Sequence, residues 1–509
     1  MPHLDNQSLA QLIAQLADAN NDVARKAGDA LVAARSSVVP GLLAAVAPAA
    51  IPVRRRLMFL LGEIGRREAA TAHDMLPILS AHLDDADWKV RRNAAIALGK
   101  LQHRPTLPAL KQRLTIETDT QVRTSLILSL GQVAQPSDQD VLADVLLTTE
   151  AEKIAAQKVA DRLVAQSQAI PAIDTESMLS PAIKSELWCR KGVAALVQQE
   201  CAAHGMPTQV IAPDRIRLAQ TLSFGQMLTI RTALFPVLVV ELPNDPSSPA
   251  LLGAQFAATH VASEMRRLTQ SEAVSYRMTF DNAALSQQTR SQWIAEFASA
   301  THGLINRASG YSWEIMVRST PKALVFAARP ASVVDQRFAY RKSMLPAALH
   351  PTLAAAAVQL VPGHADDIVV DPFCGSGTLL AERAMYAPYK RLIGFDHHLD
   401  AIQAARINLE GLPNVSLHKT SFKALAKRQN VSLIITNPPY GQRVANRKHA
   451  RVLHNELDSL AAMVLRPGGT LIVFRPPNFP DPEQLTVIER RRIDAGGLHV
   501  DLIVAQKST

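Results

Sequence analysis

Apolar residues recur at helical spacing through the first 165 residues, mostly alanine and leucine with few aromatics. The pattern also repeats itself. Asp22-Val-Ala-Arg-Lys-Ala-Gly-Asp-Ala-Leu31 aligns with Pro52-Val-Arg-Arg-Arg-Leu-Met-Phe-Leu-Leu-Gly-Glu-Ile-Gly65. Both align with Asp87-Trp-Lys-Val-Arg-Arg-Asn-Ala-Ala-Ile-Ala-Leu-Gly-Lys-Leu101 and with Asp119-Thr-Gln-Val-Arg-Thr-Ser-Leu-Ile-Leu-Ser-Leu-Gly131. The aligned valines Val23, Val53, Val90 and Val122 are 30, 37 and 32 residues apart. Such periods predict helix pairs stacked into a short solenoid over residues 1–165. An arginine follows each valine: Arg25, Arg54, Arg91 and Arg123. Two readings fit them. One is a basic stripe for phosphates, with Lys26, Arg55, Arg56, Lys89 and Arg92 beside it. The other, which we favour, is a ladder in which each arginine pairs with an acid of the next repeat, such as Asp87 or Asp119.

The pattern changes at Ile170-Pro-Ala-Ile and Leu179-Ser-Pro, which mark a linker. Residues 166–335 mix the two periods. A helix is expected to open at Trp188-Cys-Arg-Lys-Gly-Val. Strands are expected at 209–212, 227–232, 234–242, 273–280, 313–318 and 323–328, and a helix at 291–301. This is an α+β unit.

From 336 the chain alternates strand and helix. Helices are expected at 351–361, after the glycine turn at 378, at 399–410 and at 453–465. Short apolar strands stand at 367–371, 391–396, 415–418, 431–436 and 470–474, and 484–488 with 498–505 reads as a terminal antiparallel pair. The expected fold of 336–509 is a doubly wound α/β sheet.

Two strand ends in that sheet carry chemistry. The strand Asp367-Ile-Val-Val-Asp371 runs into Pro372-Phe-Cys-Gly-Ser-Gly-Thr378. Gly375 and Gly377 allow a tight turn and close approach of a ligand to the backbone. No Gly-Lys-Ser/Thr ends the loop, and position 380 is Leu, so it is neither a P-loop nor a full dinucleotide fingerprint. The strand Val431-Ser-Leu-Ile-Ile-Thr436 runs into Asn437-Pro-Pro-Tyr440. Pro438 and Pro439 fix the backbone and remove two amide donors. What remains is the Asn437 amide, the Pro438 carbonyl and a ring: an acceptor-lined slot for an NH2 group, with a flat group stacked on Tyr440. Asp396 ends the second strand, 25 residues after Asp371, where a carboxylate can accept both ribose hydroxyls of a nucleoside cofactor. His397 and His398 adjoin it without further spaced metal ligands, so no metal is expected.

These stretches resemble the class I S-adenosylmethionine-dependent amino-methyltransferases. The resemblance is strongest to RNA methylases related to the THUMP-containing guanine-N2 methyltransferases of tRNA and rRNA. The segment Arg337-Phe-Ala-Tyr-Arg-Lys-Ser-Met-Leu-Pro-Ala-Ala-Leu-His-Pro-Thr352 shares it. The repeats at 1–165 resemble HEAT repeats. The resemblance implies a multidomain chain: an N-terminal α-solenoid, a middle α+β domain where relatives carry an RNA-binding module, and a Rossmann-like methyltransferase domain. It implies S-adenosylmethionine held by Asp371, Pro372, Phe373, Cys374, Gly375, Gly377, Thr378, Asp396, His397, Ser421 and Phe422. Relatives usually carry an acid near the end of the third strand to contact adenine; Ser421 stands there, with Phe422 to pack on the ring. Asn437, Pro438, Pro439 and Tyr440 would be the catalytic residues. An exocyclic amine is a poor nucleophile, and acceptors on both N–H bonds favour its pyramidal form. Arg443, Arg447, Lys448 and Arg451 follow as a loop suited to hold substrate phosphates. The expected substrate is guanine N2 of tRNA or rRNA. Adenine N6 of DNA and the amide of protein glutamine fit the same slot. A non-catalytic repeat scaffold with a decayed methyltransferase domain is the rival from another class.

Composition changes this little. The formal charge of +9 suits a polyanionic partner such as RNA. The repeats offer a surface for a protein partner as well. Cys189, Cys201 and Cys374 give no paired framework, as expected of a reducing cytoplasm, and Cys374 reads as a small tolerated residue. No apolar run is expected to span a membrane.

Overall fold

The computed structural model describes residues 6–508 apart from 19, 69–70, 139, 168–169, 244, 246, 282–286, 346–347 and 441–443. The chain divides into two compact units, one up to residue 169 and one from residue 170.

The first unit is helical: α1 (Asn6–Gln15), α2 (Asn21–Ala34), α3 (Val39–Val46), α4 (Ile51–Arg67), α5 (Ala72–Ala81), α6 (Trp88–Leu101), α7 (Leu107–Ile116), α8 (Thr120–Val133) and α9 (Glu150–Ser167). Helices α2, α4, α6, α8 and α9 pack one on the next. Glycine permits the close approach. A Cβ on Gly62 would stand 2.8 Å from the Ala97 Cα, and one on Gly131 would stand 2.4 Å from a Val159 methyl. The repeated aspartates start the helices: Asp87 accepts from the Val90 N–H, and Asp119 from those of Gln121 and Val122.

The arginine ladder is present, with partners other than those expected. Arg54 pairs with Asp85 (2.8 Å), Arg91 with Glu117 (2.8 Å) and Arg123 with Glu152 (2.9 Å). Asp87 pairs instead with Arg55, one position on, and Asp119 serves as a cap. Arg25 has only exposed partners, Asp22 and Asp29. With Arg54, Arg91 and Arg123 spent on acids, the phosphate stripe does not form from them. The stretch Asn21–Val46 is long and apolar enough to cross a membrane by length and composition, contrary to expectation. Here it is α2 and α3, broken at Arg35 (φ 57°), with Leu31, Val38 and Leu42 in the repeat core.

The second unit contains two sheets. The first is built from β1 (Lys184–Trp188), β2 (Thr208–Ala212), β3 (Arg215–Leu218), β4 (Phe235–Pro243), β5 (Val274–Phe280), β6 (Leu304–Asn306), β7 (Trp313–Ser319) and β8 (Ala323–Pro330), ordered β2-β3-β1-β4-β8-β7-β5-β6. Its helices are α10 (Ala194–Ala203), α11 (Phe224–Met227), α12 (Pro249–Ala257), α13 (His260–Thr269) and α14 (Gln287–Ser299). Two expectations fail here. Trp188 ends a strand rather than opening a helix, because Glu186, Leu187 and Trp188 pair with β3 and β4 on both sides. Residues 228–232 form no strand; Thr232 and Arg231 give their N–H groups to the buried Glu200 carboxylate instead.

The second sheet follows α15 (Pro351–Val358). It contains β9 (Ile368–Asp371), α16 (Thr378–Tyr386), β10 (Arg391–Asp396), α17 (Leu399–Asn408), β11 (Val415–Lys419), β12 (Val431–Thr436), α18 (Val444–Val464), β13 (Leu465–Arg475), β14 (Thr486–Asp494) and β15 (His499–Gln506). The order is β11-β10-β9-β12-β13-β15-β14, parallel except for β15. The order reverses between β9 and β12, which makes their carboxyl ends the switch point where a doubly wound sheet binds ligands.

A polar joint fastens this sheet to the other. Arg231 is bidentate on the buried Glu382 (2.9 and 3.0 Å), and the Tyr340 hydroxyl donates to the same carboxylate (2.6 Å). Arg337 is buried and donates to the carbonyls of Ile230, Ala233 and Leu234. The arginine that opens the 337–352 segment therefore clamps a turn of the preceding module.

Candidate methyl-transfer site

The two chemical strand ends meet. Strand β9 delivers Asp371, and β12, its neighbour in the sheet, delivers Thr436 and Asn437. Asp371 is buried; it accepts from the Thr436 hydroxyl (2.7 Å) and the Phe373 N–H (3.0 Å). Burial pushes its carboxyl up to about 7, against the pull of those two donors.

The glycine loop is held from the other side by Asp396. One Asp396 oxygen accepts from the Gly375 N–H (3.0 Å), the other from the His398 N–H (2.9 Å). Gly375 and Gly377 both have positive φ, 51° and 81°. A Cβ on Gly377 would stand 2.9 Å from Leu409, whereas one on Gly375 would meet nothing within 4 Å. Gly377 is thus demanded by packing, and the Gly375 backbone faces open space. Cys374 is buried, which raises its thiol far above the ordinary range, so it is no nucleophile.

A cavity of about 130 Å³ lies between the strand ends, lined by Asp371, Phe373, Cys374, Gly375, Ser376, Thr378, Leu379 and Asn437. Its far wall is Leu345, Ala348 and Leu349, from the segment before α15. Leu345, Ala348, Leu349, Ser376 and Leu379 were not among the expected site residues; the signals were that the 337–352 segment belongs with the site and that Ser376 and Leu379 sit in and just after the glycine loop. The cavity does not include Asp396, His397, Ser421, Phe422 or Tyr440.

Other expected site residues have partners within the protein. Phe422 stacks on Phe373, with centroids 5.0 Å apart, and stays half-buried. Ser421 is exposed, and its hydroxyl accepts from the Lys423 N–H (3.4 Å) as a cap. The His397 ring is largely exposed, 3.7 Å from Asp396 and against His398. Pro372 turns the chain out of β9. Arg443 lies outside the described residues, as do the side chains of Arg447 and Lys448; Arg451 is exposed on α18.

The slot itself is occupied from within. The Tyr440 hydroxyl donates to the Asn437 side-chain oxygen. Burial raises the Tyr440 hydroxyl, so it stays a donor at neutral pH. Pro438 is buried and Pro439 exposed. Behind them His454 of α18 is fully buried, edge-on to Phe479, with neither ring nitrogen in a hydrogen bond of ordinary geometry. Burial first, then the Arg475 charge, pushes its pKa down to about 3. The imidazole is therefore neutral and adds no charge behind the slot.

Residues 339–479 match the RMKL-like methyltransferase domain, and 39–131 and 75–160 match HEAT repeats. A probable tRNA (guanine(10)-N2)-dimethyltransferase of Methanothermococcus thermolithotrophicus is 30% identical over 131 residues, which are 24% of this chain and 76% of that protein. The chain belongs to the RMKL-like methyltransferase family. The tRNA (guanine(10)-N2)-dimethyltransferase of Methanothermobacter thermautotrophicus is 31% identical over 149 residues, 28% of this chain and 43% of that one. The U6 snRNA (guanine-N(2))-methyltransferase THUMPD2 of Bos taurus is 31% identical over 132 residues, 25% of this chain and 26% of that one. The chain thus spans under half the length of these two relatives. TrmN from Thermus thermophilus shares the fold: TM-score 0.52 over 64% of this chain and 99% of that one, at 21% identity. So does SMU.472, solved as a complex with SAH, at TM-score 0.51 over 64% of this chain and 98% of that one, with 17% identity.

Proposed function

We propose that this protein is an S-adenosylmethionine-dependent methyltransferase acting on guanine N2 of a structured RNA, tRNA or rRNA. The observation that carries the reading is the Asn437-Pro-Pro-Tyr440 slot at the end of β12, sharing one cavity with the Asp371–Thr378 loop at the end of β9. The names of the RMKL-like relatives, guanine-N2 methyltransferases of tRNA and snRNA, support the choice of substrate. The net charge of +9 agrees.

The residues fit the cofactor. Open space stands over Gly375, and Asp396 keeps lone pairs for a ribose diol beside it. The cavity is too small to enclose a whole nucleoside, which would lie along the strand ends toward Asp396. Asp371, Cys374 and Thr378 would line its reactive end. When bound, the cofactor supplies an electrophilic methyl group.

The chain's own residues prepare the acceptor. Tyr440 fixes the Asn437 amide by donating to its carbonyl oxygen, which keeps a second lone pair. That oxygen and the Pro438 carbonyl accept the two N–H bonds of the target amine and free its lone pair. The cofactor would supply the methyl group to that nitrogen, which gives up one proton to solvent. Fixing nitrogen and methyl in line contributes up to roughly 7–11 kcal/mol. The middle sheet and the helical repeats would position the RNA, and the repeats offer a surface for a protein partner as well. We place the enzyme in the cytoplasm.

The test is to incubate the protein with methyl-labelled cofactor and separate RNA, DNA and protein fractions. Label in RNA as N2-methylguanosine is expected. Label only in DNA or protein would move the acceptor to adenine or glutamine, and no label in any fraction would favour the decayed scaffold.

A further inference from the structure

The repeats leave one groove open. The glycines that bring successive helices together stand nine residues after the aligned valines: Gly62 in α4, Gly99 in α6 and Gly131 in α8. Val32 takes that place in α2. A valine cannot admit the approach that Gly62 makes to Ala97, and α2 lies against α4 less closely than α4 against α6 or α6 against α8. A cavity of about 650 Å³ lies between α2 and α4, with an apolar floor of Leu16, Ala24, Val32 and Leu60.

Phe59 lines that cavity from α4 and is 50% exposed. Lys100 of α6 reaches over its ring, with Nζ 4.6 Å from the centroid. The same repeat position holds Ile96 in α6 and Leu128 in α8, 37 and 32 residues further on, as the valines are. Ile96 is half-buried, and Leu128 is exposed. Bonds between helices keep the register: Asn93 donates to the Arg55 carbonyl (2.8 Å), and Arg92 to the Ser125 hydroxyl (3.4 Å). The groove therefore continues as an apolar ridge over α6 and α8. Helices packed about 8–10 Å apart set its ends roughly 16–20 Å apart, about three to four turns of a helix laid across them.

Cations without acids border this surface. Arg67, at the cavity rim, is exposed and in no hydrogen bond or ion pair among the described residues. Arg56 has only neutral partners, the Leu16 carbonyl and Asn21, and Arg92 only the Ser125 hydroxyl. Both acids lining the cavity are taken: Asp29 by Arg25 (3.6 Å), and Glu63 by Arg66 (3.0 Å) and Lys100 (2.8 Å). The surplus is local. Residues 1–169 hold 19 Lys and Arg against 18 Asp and Glu, whereas residues 170–509 hold 35 against 27. A unit so near neutral is poorly suited to a phosphate backbone, which is bound through many cations. An apolar ridge bordered by a few free cations matches a helix with an apolar face bordered by acids. We propose that the α2–α4 groove and the ridge of Phe59, Ile96 and Leu128 dock an acidic amphipathic helix of a protein partner, a role that does not depend on the methyl-transfer reading.

The test presents the full chain with a displayed library of random peptides of about 16 residues, enough for roughly four turns. The enriched peptides are then measured by fluorescence anisotropy. They should carry apolar residues at helical period and a net negative charge. F59S is expected to weaken their binding by about tenfold or more. R67Q should weaken it roughly two- to fivefold and reduce its salt dependence. Both side chains face solvent, so the variants should melt with the parent. Should F59S not fold, Leu128→Ser takes its place in the comparison. No enrichment, enrichment of basic or unpatterned peptides, or parental binding by both variants would overturn the docking site. So would a dimer of the parent that F59S dissociates, which would assign the face to a second copy of the chain. Loss of single-stranded RNA binding in F59S/R67Q would also overturn it, by assigning the face to RNA.

Discussion

At the scale of single residues, the contact between Tyr440 and Asn437 decides most. The Asn437 oxygen already has one donor, the Tyr440 hydroxyl. Asn437→Ala removes the acceptor while the prolines keep the turn. Its kcat should fall at least tenfold with cofactor affinity unchanged, because the acceptor acts mostly on the developing transition state. Single-turnover assays with labelled cofactor measure this. Tyr440→Phe keeps the ring but frees the amide to rotate. Losing one orienting hydrogen bond of about 0.5–1.5 kcal/mol should lower kcat by roughly 2- to 12-fold without weakening base capture. Asp371 gives a pH signature. Its folded pKa, about 7, lies above the ordinary carboxylate value, so the fold favours the neutral form. That stabilisation is fully present below about pH 4 and is lost as pH rises through 7. Melting temperature should therefore decline between those limits more steeply in the parent than in Asp371→Asn. Equal slopes would remove Asp371 as the cause.

At the scale of elements, glycine spacing and buried acids hold the repeats together. Gly131 touches α9 so closely that a side chain must displace Val159. Gly131→Val should cost about 1–3 kcal/mol of repeat stability by overpacking. Glu117 is the tighter case. It is buried and accepts from both Arg91 and Arg113. Burial alone would raise its pKa; the bonds from Arg91, the Asp119 N–H and Arg113 outweigh burial and hold it at about 2. Its contribution is present above the ordinary carboxylate range and is lost as pH falls through 2. Glu117→Gln leaves Arg91 without its acid and Arg113 with only the exposed Asp84, and a loss of roughly 3–5 kcal/mol in chemical denaturation is expected. Neither substitution should alter cofactor affinity, which calorimetry can check.

At the scale of the whole molecule, the division at residues 169 and 170 separates repeats from chemistry. Residues 170–509 contain both sheets and the joint of Arg231, Glu382 and Tyr340 between them. A fragment of 170–509 should fold and bind cofactor like the full chain, and methylate its natural RNA poorly. Full activity of the fragment on that RNA would leave the repeats without a role in substrate positioning. Within the fragment, Arg231→Ala strands Glu382, a carboxylate that burial already pushes upward. Loss of RNA methylation at parental cofactor affinity would show that the joint aligns the two sheets.

The sequence by itself determined the alternation of strand and helix from 368 to 506, the glycine turn at 375–377 and the rigid turn at 437–440. These follow from rules that act over a few residues: apolar period, β-branching, proline and glycine geometry. It also fixed the repeat period, because the same local pattern recurs with Val53, Val90 and Val122 in the core. Tertiary structure alone decided which groups met. Trp188 became a strand because β3 and β4 were there to pair with it. Arg54, Arg91 and Arg123 found Asp85, Glu117 and Glu152, since solenoid packing and not sequence spacing chose the nearest acid. Leu345 and Leu349 became a cavity wall, Phe422 a prop for Phe373, and Asn437 a partner of Tyr440. The reason is common to all of them. A residue's secondary structure is set largely by its chain neighbours, whereas its hydrogen-bond and packing partners are set by which surfaces the finished fold brings within a few ångströms.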